Sequence, residues 1–217
     1  ELNEMKEYKL DTNTLMGAWY ISKRLCDKII NKMNNSNLKP GIMYRQGKEK
    51  VDKDAKDSFE LSIGVGNNDE PFREYRQTIQ DLIRLYCKKY TYMDSNAFFN
   101  IGERYNLQKY PVGGGFKVWH CENDFKSILN YDRCLVFMTY LNDVEDGGTS
   151  FKYQNIDMPA QKGLTVMWPA YWTHMHKGIV SKTKEKYIAT GWLNYIEHRQ
   201  MLIDQGKVSW SWELGVQ

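Results

Sequence analysis

The chain changes texture near residue 106. Before it, apolar residues recur mainly at helical spacing; after it, short runs alternate between apolar and polar. Leu25, Ile29, Ile30 and Met33 follow Trp19-Tyr20-Ile21 with the period of an amphipathic helix, Ser22 stands as its N-cap, and Asn34-Asn35-Ser36-Asn37 as its stop. A longer helix is expected over residues 72–92. There Tyr75, Ile79, Leu82, Ile83, Tyr86 and Cys87 make one stripe, and Pro71 suits the first turn. Residues 58–63 alternate like a strand. The mixed charge run at 47–57 is expected to be a solvated surface loop, and the alternative reading is a mobile flap that closes over substrate.

Beyond residue 106, strands are expected at 107–110, 116–122, 135–141, 149–153, 164–168, 174–180 and 187–193. Gly113-Gly114-Gly115, Asp146-Gly147-Gly148 and Lys162-Gly163 separate them. Short strands between glycine turns predict an all-β core, a cupin-like jelly roll, with helices flanking it. The expected organisation is a single domain: helical and strand support over 1–106, with a charged flap near 46–57, a barrel over 107–197, and a tail over 198–217. In the tail, residues 208–212 alternate like an edge strand.

Composition narrows the function only by exclusion. Thirty basic and 27 acidic residues give a net charge of +3, too balanced to suggest nucleic acid. No apolar run has the length to span a bilayer, and nothing at the start reads as a signal peptide. Cys26, Cys87, Cys121 and Cys134 form no Cys-x-x-Cys pair, so free thiols in a reducing, cytoplasmic setting are expected. The spacing leaves oligomeric state open.

The chemistry concentrates where the histidines do. The chain has four, and three stand at His120, His174 and His176. His120 and Glu122 flank Cys121, so on a strand they share a face while Cys121 turns to packing. An imidazole and a carboxylate side by side are two members of a 2-His-1-carboxylate facial triad, which holds Fe(II) and leaves positions open. Asp124 has the same parity as Glu122 and is a second candidate carboxylate. His174 and His176 also share parity, and each is a candidate third ligand. Lys186 follows His176 by ten residues and opens the strand at 187–193, whereas Lys184, ten after His174, sits in the preceding turn. That context favours His176 as the ligand, with His174 a nearby donor or pocket wall. Lys186, Ile188, Thr190 and Trp192 share one strand face, and a keto-diacid co-substrate would need such a cation for its far carboxylate.

These residues resemble a known family. Tyr110-Pro111-Val112-Gly113-Gly114-Gly115-Phe116, His120-Cys121-Glu122, Arg133, Tyr140-Leu141-Asn142-Asp143-Val144, Gly147-Gly148-Thr149-Ser150-Phe151, Pro159, Lys162-Gly163, His176-Lys177-Gly178, Lys186-Tyr187 and Trp192 follow the pattern of the prolyl 4-hydroxylase-like branch of the Fe(II)/2-oxoglutarate-dependent dioxygenases. The likeness spans roughly 107–195 and is nearest to the compact forms of marine bacteria and their phages. It implies a double-stranded β-helix, with Fe(II) on His120, Glu122 and His176. It also implies 2-oxoglutarate paired to Lys186, O2 as oxidant and ascorbate as reductant. Tyr110, Tyr140, Thr190 and Trp192 match residues around the co-substrate, and Arg133 and His174 are placed on the substrate side. The implied reaction is hydroxylation, with peptidyl proline at C4 in a Pro-containing peptide as the expected substrate, and succinate and CO2 as co-products. A free amino acid or other small molecule, or a metal-binding module without catalysis, are the alternatives. The implied setting is the cytoplasm of a bacterium or of a phage-infected host. Glu122 departs from the family's usual aspartate.

Overall fold

The computed structural model describes residues 5–45 and 48–207. In chain order the elements are β1 (Gly17–Tyr20), α1 (Lys23–Asn34), β2 (Lys39–Pro40), β3 (Met43–Arg45), β4 (Lys48–Lys50), β5 (Lys56–Asp57), β6 (Phe59–Ile63) and α2 (Phe72–Lys89). Then follow β7 (Phe99–Asn100), β8 (Tyr105–Tyr110), β9 (Gly115–Phe116), β10 (Arg133–Tyr140), β11 (Val144–Phe151) and β12 (Ile156–Ala160). The last are β13 (Leu164–Pro169), β14 (His176–Gly178), β15 (Lys186–Tyr195) and α3 (Ile196–Asp204). Four short 3-10 turns complete the set among the described residues.

Two sheets form the barrel. The larger runs β1-β13-β10-β15-β8-β6-β2, with β7 added to β15; the smaller runs β12-β11-β14. Every pairing is antiparallel. This is the double-stranded β-helix expected from the strand pattern, with helices to one side.

Alternation along the central strands sorts side chains into two cores. On β10, Leu135 and Phe137 join Leu25, Ile29, Met33, Tyr75, Ile79 and Leu82 of α1 and α2, while Val136, Met138 and Tyr140 face into the barrel. There they meet Val144, Phe151 and Met158 of the smaller sheet. A strand buried on both faces reads as a continuous apolar run, and 134–138 is one. The polar exception, Thr139, bonds the Tyr75 hydroxyl at 2.9 Å and Thr165 at 2.8 Å, which ties the sheet to α2.

Three local expectations change. Trp19-Tyr20 belong to β1, paired with β13, and helix α1 begins only at Lys23, with Ser22 Oγ accepting from Leu25 N–H. The strand expected over 116–122 ends at Phe116. Its backbone exchanges partners along its length: Lys117 N–H bonds Ala55, His120 pairs with His176, and Glu122 N–H bonds Ala170, so no one ladder runs through it. His174 lies in a 3-10 turn (Trp172–His174) rather than in a strand, which begins at His176. The charge run is partly strand, with β4 closing a hairpin on β3 and β5 pairing with β9. The alternation at 208–212, and Gln46 and Gly47 of the flap, lie outside the described residues. No helix among those described is long and apolar enough to cross a membrane, and the four cysteines are unpaired.

Candidate active site

Backbone pairing assembles the histidines. His120 N–H donates to His176 C=O at 3.0 Å, and His176 N–H donates back at 2.9 Å. Residues bonded to each other in this way put their side chains on the same face, here the barrel interior. Each ring is then fixed at its outer nitrogen: His120 Nδ1 meets Val118 C=O at 2.9 Å, and His176 Nδ1 meets His174 C=O at 2.9 Å. A carbonyl only accepts, so Nδ1 carries the proton and the Nε2 lone pair faces the cluster. Phe116 stacks on the His120 ring, with centroids 3.7 Å apart.

Glu122 completes the group. Its Oε1 lies 3.4 Å from His120 Nε2 and 3.2 Å from His176 Nε2. One ligand atom from each of the three residues lies within 4.8 Å of the other two, a set able to close on one cation. Imidazole with carboxylate suits a borderline ion such as Fe(II). Burial pushes the Glu122 carboxyl up, but attraction to the His120 and His176 rings in their protonated form outweighs this and holds it well below the usual range. Burial, with repulsion from His120, pushes His176 down, in the direction of the neutral form that binds metal.

The cluster opens into a cavity of ≈ 100 Å³. From β15 it is lined by Lys186, Ile188, Thr190 and Trp192, the face expected from alternation. Tyr110, Tyr140 and Thr149 also line it. The Lys186 ammonium is buried, 5.4 Å from the Tyr110 ring centroid, and donates to Ile179 C=O at 3.0 Å and Gly148 C=O at 3.3 Å. Two carbonyls leave one of its three N–H donors for the cavity. Burial pushes it down to about 8, against a weaker upward pull from Asp146. The Tyr140 hydroxyl donates to Thr149 Oγ1 at 2.6 Å, and the Tyr110 hydroxyl to Gln108 Oε1 at 2.7 Å.

Two residues placed on the substrate side lie elsewhere. The His174 ring is buried, bonding Thr14 C=O at 2.8 Å and Thr173 Oγ1 at 2.9 Å; its own carbonyl orients His176. Being one helical step short of the strand, it does not share the facing of His176. Arg133 does not line the cavity: it forks onto Glu103 at 2.8 and 2.6 Å and stands behind the ligand residue, with Nη1 3.4 Å from Glu122 C=O and 3.9 Å from Glu122 Oε2. Asp124 is exposed, with Lys126 N–H on its Oδ1, outside the cluster.

Three lining residues were not among the expected site residues. Phe116 comes through the bend of the chain. Gln108 shares parity with Tyr110 on β8, so alternation alone would have found it. Lys56 was hidden in the charge run. Its side chain is buried in the cavity wall, with Nζ 2.5 Å from Glu60 Oε1, and Glu60 Oε1 also accepts from Gln108 at 2.9 Å.

Residues 105–194 match the model of the 2OG-Fe(II) oxygenase superfamily. No curated protein matches the chain. Among solved structures, the viral collagen prolyl hydroxylase of Paramecium bursaria Chlorella virus-1, as its 2OG complex, aligns with a TM-score of 0.61 at 18% identity, covering 82% of this chain and 95% of that one. A Pseudomonas putida prolyl-4-hydroxylase gives 0.59 at 15% identity, over 82% and 91%. A Trichoplax adhaerens prolyl hydroxylase, in complex with a hypoxia inducible factor oxygen degradation domain peptide fragment, gives 0.64 at 12% identity, over 88% of each chain. At such identities the likeness is one of fold.

Proposed function

We propose that this chain, whose residues 105–194 match the 2OG-Fe(II) oxygenase superfamily and whose fold is like that of prolyl hydroxylases, is a 2-oxoglutarate-dependent dioxygenase that hydroxylates peptidyl proline at C4. His120, Glu122 and His176 hold the Fe(II), and Lys186 receives the far carboxylate of 2-oxoglutarate. The observation that carries this reading is the pairing of a three-residue metal cluster with a buried, otherwise unneutralised lysine in the same cavity. A module that only stored metal would gain nothing from burying that charge, which costs free energy without an anionic partner.

The iron supplies the activation of O2 that is coupled to loss of CO2 from 2-oxoglutarate. One oxygen atom goes to succinate and one to the substrate C–H, so atoms and electrons balance with no further co-reactant. The protein's share is placement. Two carbonyls aim the imidazoles, Lys186 fixes one end of the co-substrate, and Tyr140 with Thr149 borders its path. Apolar Met138, Ile188 and Trp168 keep water from the reacting centre.

The polar wall of Lys56, Gln108 and Asn106, with Glu60 behind it, favours a second reading for the substrate. A donor beside an acceptor suits a free amino acid as well as a peptide amide. One experiment separates them: incubation with Fe(II), ascorbate, 2-oxoglutarate and O2, with Pro-rich peptides or with free amino acids, and His176→Ala as control. Succinate coupled to a one-oxygen mass gain on peptidyl proline, absent in the control, is the expected result. Oxygen gained only by a free amino acid would transfer the proposal to that class. Absence of succinate with both panels, in a protein loaded with iron, would refute both.

A further inference from the structure

Glu122 has two oxygens, and they do different things. Oε1 faces both imidazoles at 3.4 and 3.2 Å, while Oε2 accepts from the Trp192 indole Nε1 at 2.8 Å. We propose that Trp192 is a positioning residue that reserves Oε2, so that Glu122 offers the metal one ligand atom and not two. The inference rests on the ligand reading above and concerns what the longer carboxylate arm requires.

A glutamate arm has one more rotatable bond than aspartate. Unrestrained, it can turn both oxygens onto one cation and fill a position needed by co-substrate or oxygen. Indole N–H is a donor only, so it can hold Oε2 only as an acceptor. The indole is itself clamped. The Arg133 guanidinium lies over its ring, 3.8 Å from the centroid, a stacking that arginine makes with aromatic faces. Arg133 is fixed by its fork onto Glu103, and Glu103 further accepts from Asn194 at 2.8 Å and from Arg199 of α3 at 3.3 Å. Arg199 also pairs with buried Asp132 at 2.5 Å. A chain of charged, buried groups therefore runs from α3 to the back of the carboxylate. Arg133 Nη1 itself comes within 3.9 Å of Oε2, so the chain ends on the oxygen that the indole holds.

Co(II) in place of iron tests this, because its visible bands report coordination number without turnover. The full chain would be titrated anaerobically with Co(II) and then 2-oxoglutarate, as parent, Trp192→Phe, Glu122→Asp and the double variant. Phenylalanine keeps a ring beneath Arg133 and removes only the donor. Trp192→Phe is expected to bind Co(II) with altered bands and to take 2-oxoglutarate at least tenfold more weakly. Glu122→Asp, too short to reach the indole, should make it insensitive to Trp192→Phe. Parental bands and 2-oxoglutarate affinity in Trp192→Phe would overturn the inference, as would an equal change in both backgrounds. Should Trp192→Phe fail to fold, Trp192→Met, which also lacks the donor and leaves the ligand itself intact, takes its place: altered bands with weakened 2-oxoglutarate binding support the inference, and parental bands and affinity overturn it. Failure of the parent to bind Co(II) would overturn the ligand assignment itself, and this inference with it.

Discussion

Replacing Lys186 with methionine should cost co-substrate binding far more than it costs stability. In the free protein the ammonium is buried, held by two carbonyls, and depressed from 10.5 to about 8. A lysine with a lowered folded pKa binds fewer protons when folded than unfolded between about 8 and 10.5. Stability therefore rises with pH across that window, and what burial withholds is restored only above the unfolded pKa. Each unit corresponds to about 1.4 kcal/mol, so keeping the charge near neutral pH costs up to about 3 kcal/mol. Methionine fills similar volume without it, at the expense of two carbonyl contacts worth about 1.5–3 kcal/mol each at most. The two contacts offset the relief or exceed it, so the expected variant melts within a few degrees of the parent or below it. Its 2-oxoglutarate affinity falls by about 10- to 150-fold, the loss of one charged hydrogen bond of about 1.5–3 kcal/mol. Anaerobic titration of the Fe(II) form by its charge-transfer absorption, beside a thermal melt of the metal-free form, measures both. Parental affinity for 2-oxoglutarate in a folded Lys186→Met protein would refute the reasoning, since no other buried cation faces that part of the cavity unpaired among the described residues. Parental binding in the wild-type protein should also weaken as pH climbs past about 8.

His174→Ala is expected to keep its metal, because only its backbone carbonyl serves His176, but to lose about 1–3 kcal/mol of stability by stranding Thr14 C=O; urea melts and metal analysis on one sample check both. His176→Ala should instead lose Co(II) uptake while melting close to the parent's metal-free form. Gly148→Ala should fail to accumulate as folded protein, judged by circular dichroism, since φ is +116° and an added Cβ would sit 2.1 Å from Met158 C=O.

The barrel was legible because its strands are short, alternate and end in glycine, and β15 put Lys186, Ile188, Thr190 and Trp192 on one face as read. The ligand segment was legible only as chemistry. His120 and Glu122 face one site, yet not through a strand: three different partners bend the backbone between them, and parity has no purchase on such a path. The same limit hid His174, whose 3-10 turn breaks the two-residue repeat. Arg133 misled because side-chain destination depends on Glu103 and Arg199, which lie far from it in sequence. Lys56 looked like any lysine in a charged run, since burial by a strand from elsewhere leaves no mark on local composition.

The reciprocal backbone bonds between His120 and His176 also bear on when iron chemistry can begin. The two residues are distant in the chain and meet only once β9, β11 and β14 have closed against one another. Closing so long a loop precedes any reward from the contact it makes. A nascent or partly unfolded chain therefore presents isolated imidazoles rather than a ligand set, and cannot hold a reactive metal beside its own exposed side chains. Iron capture is in effect a proofreading step for the completed barrel, and bound metal adds its binding free energy only to chains that have passed it.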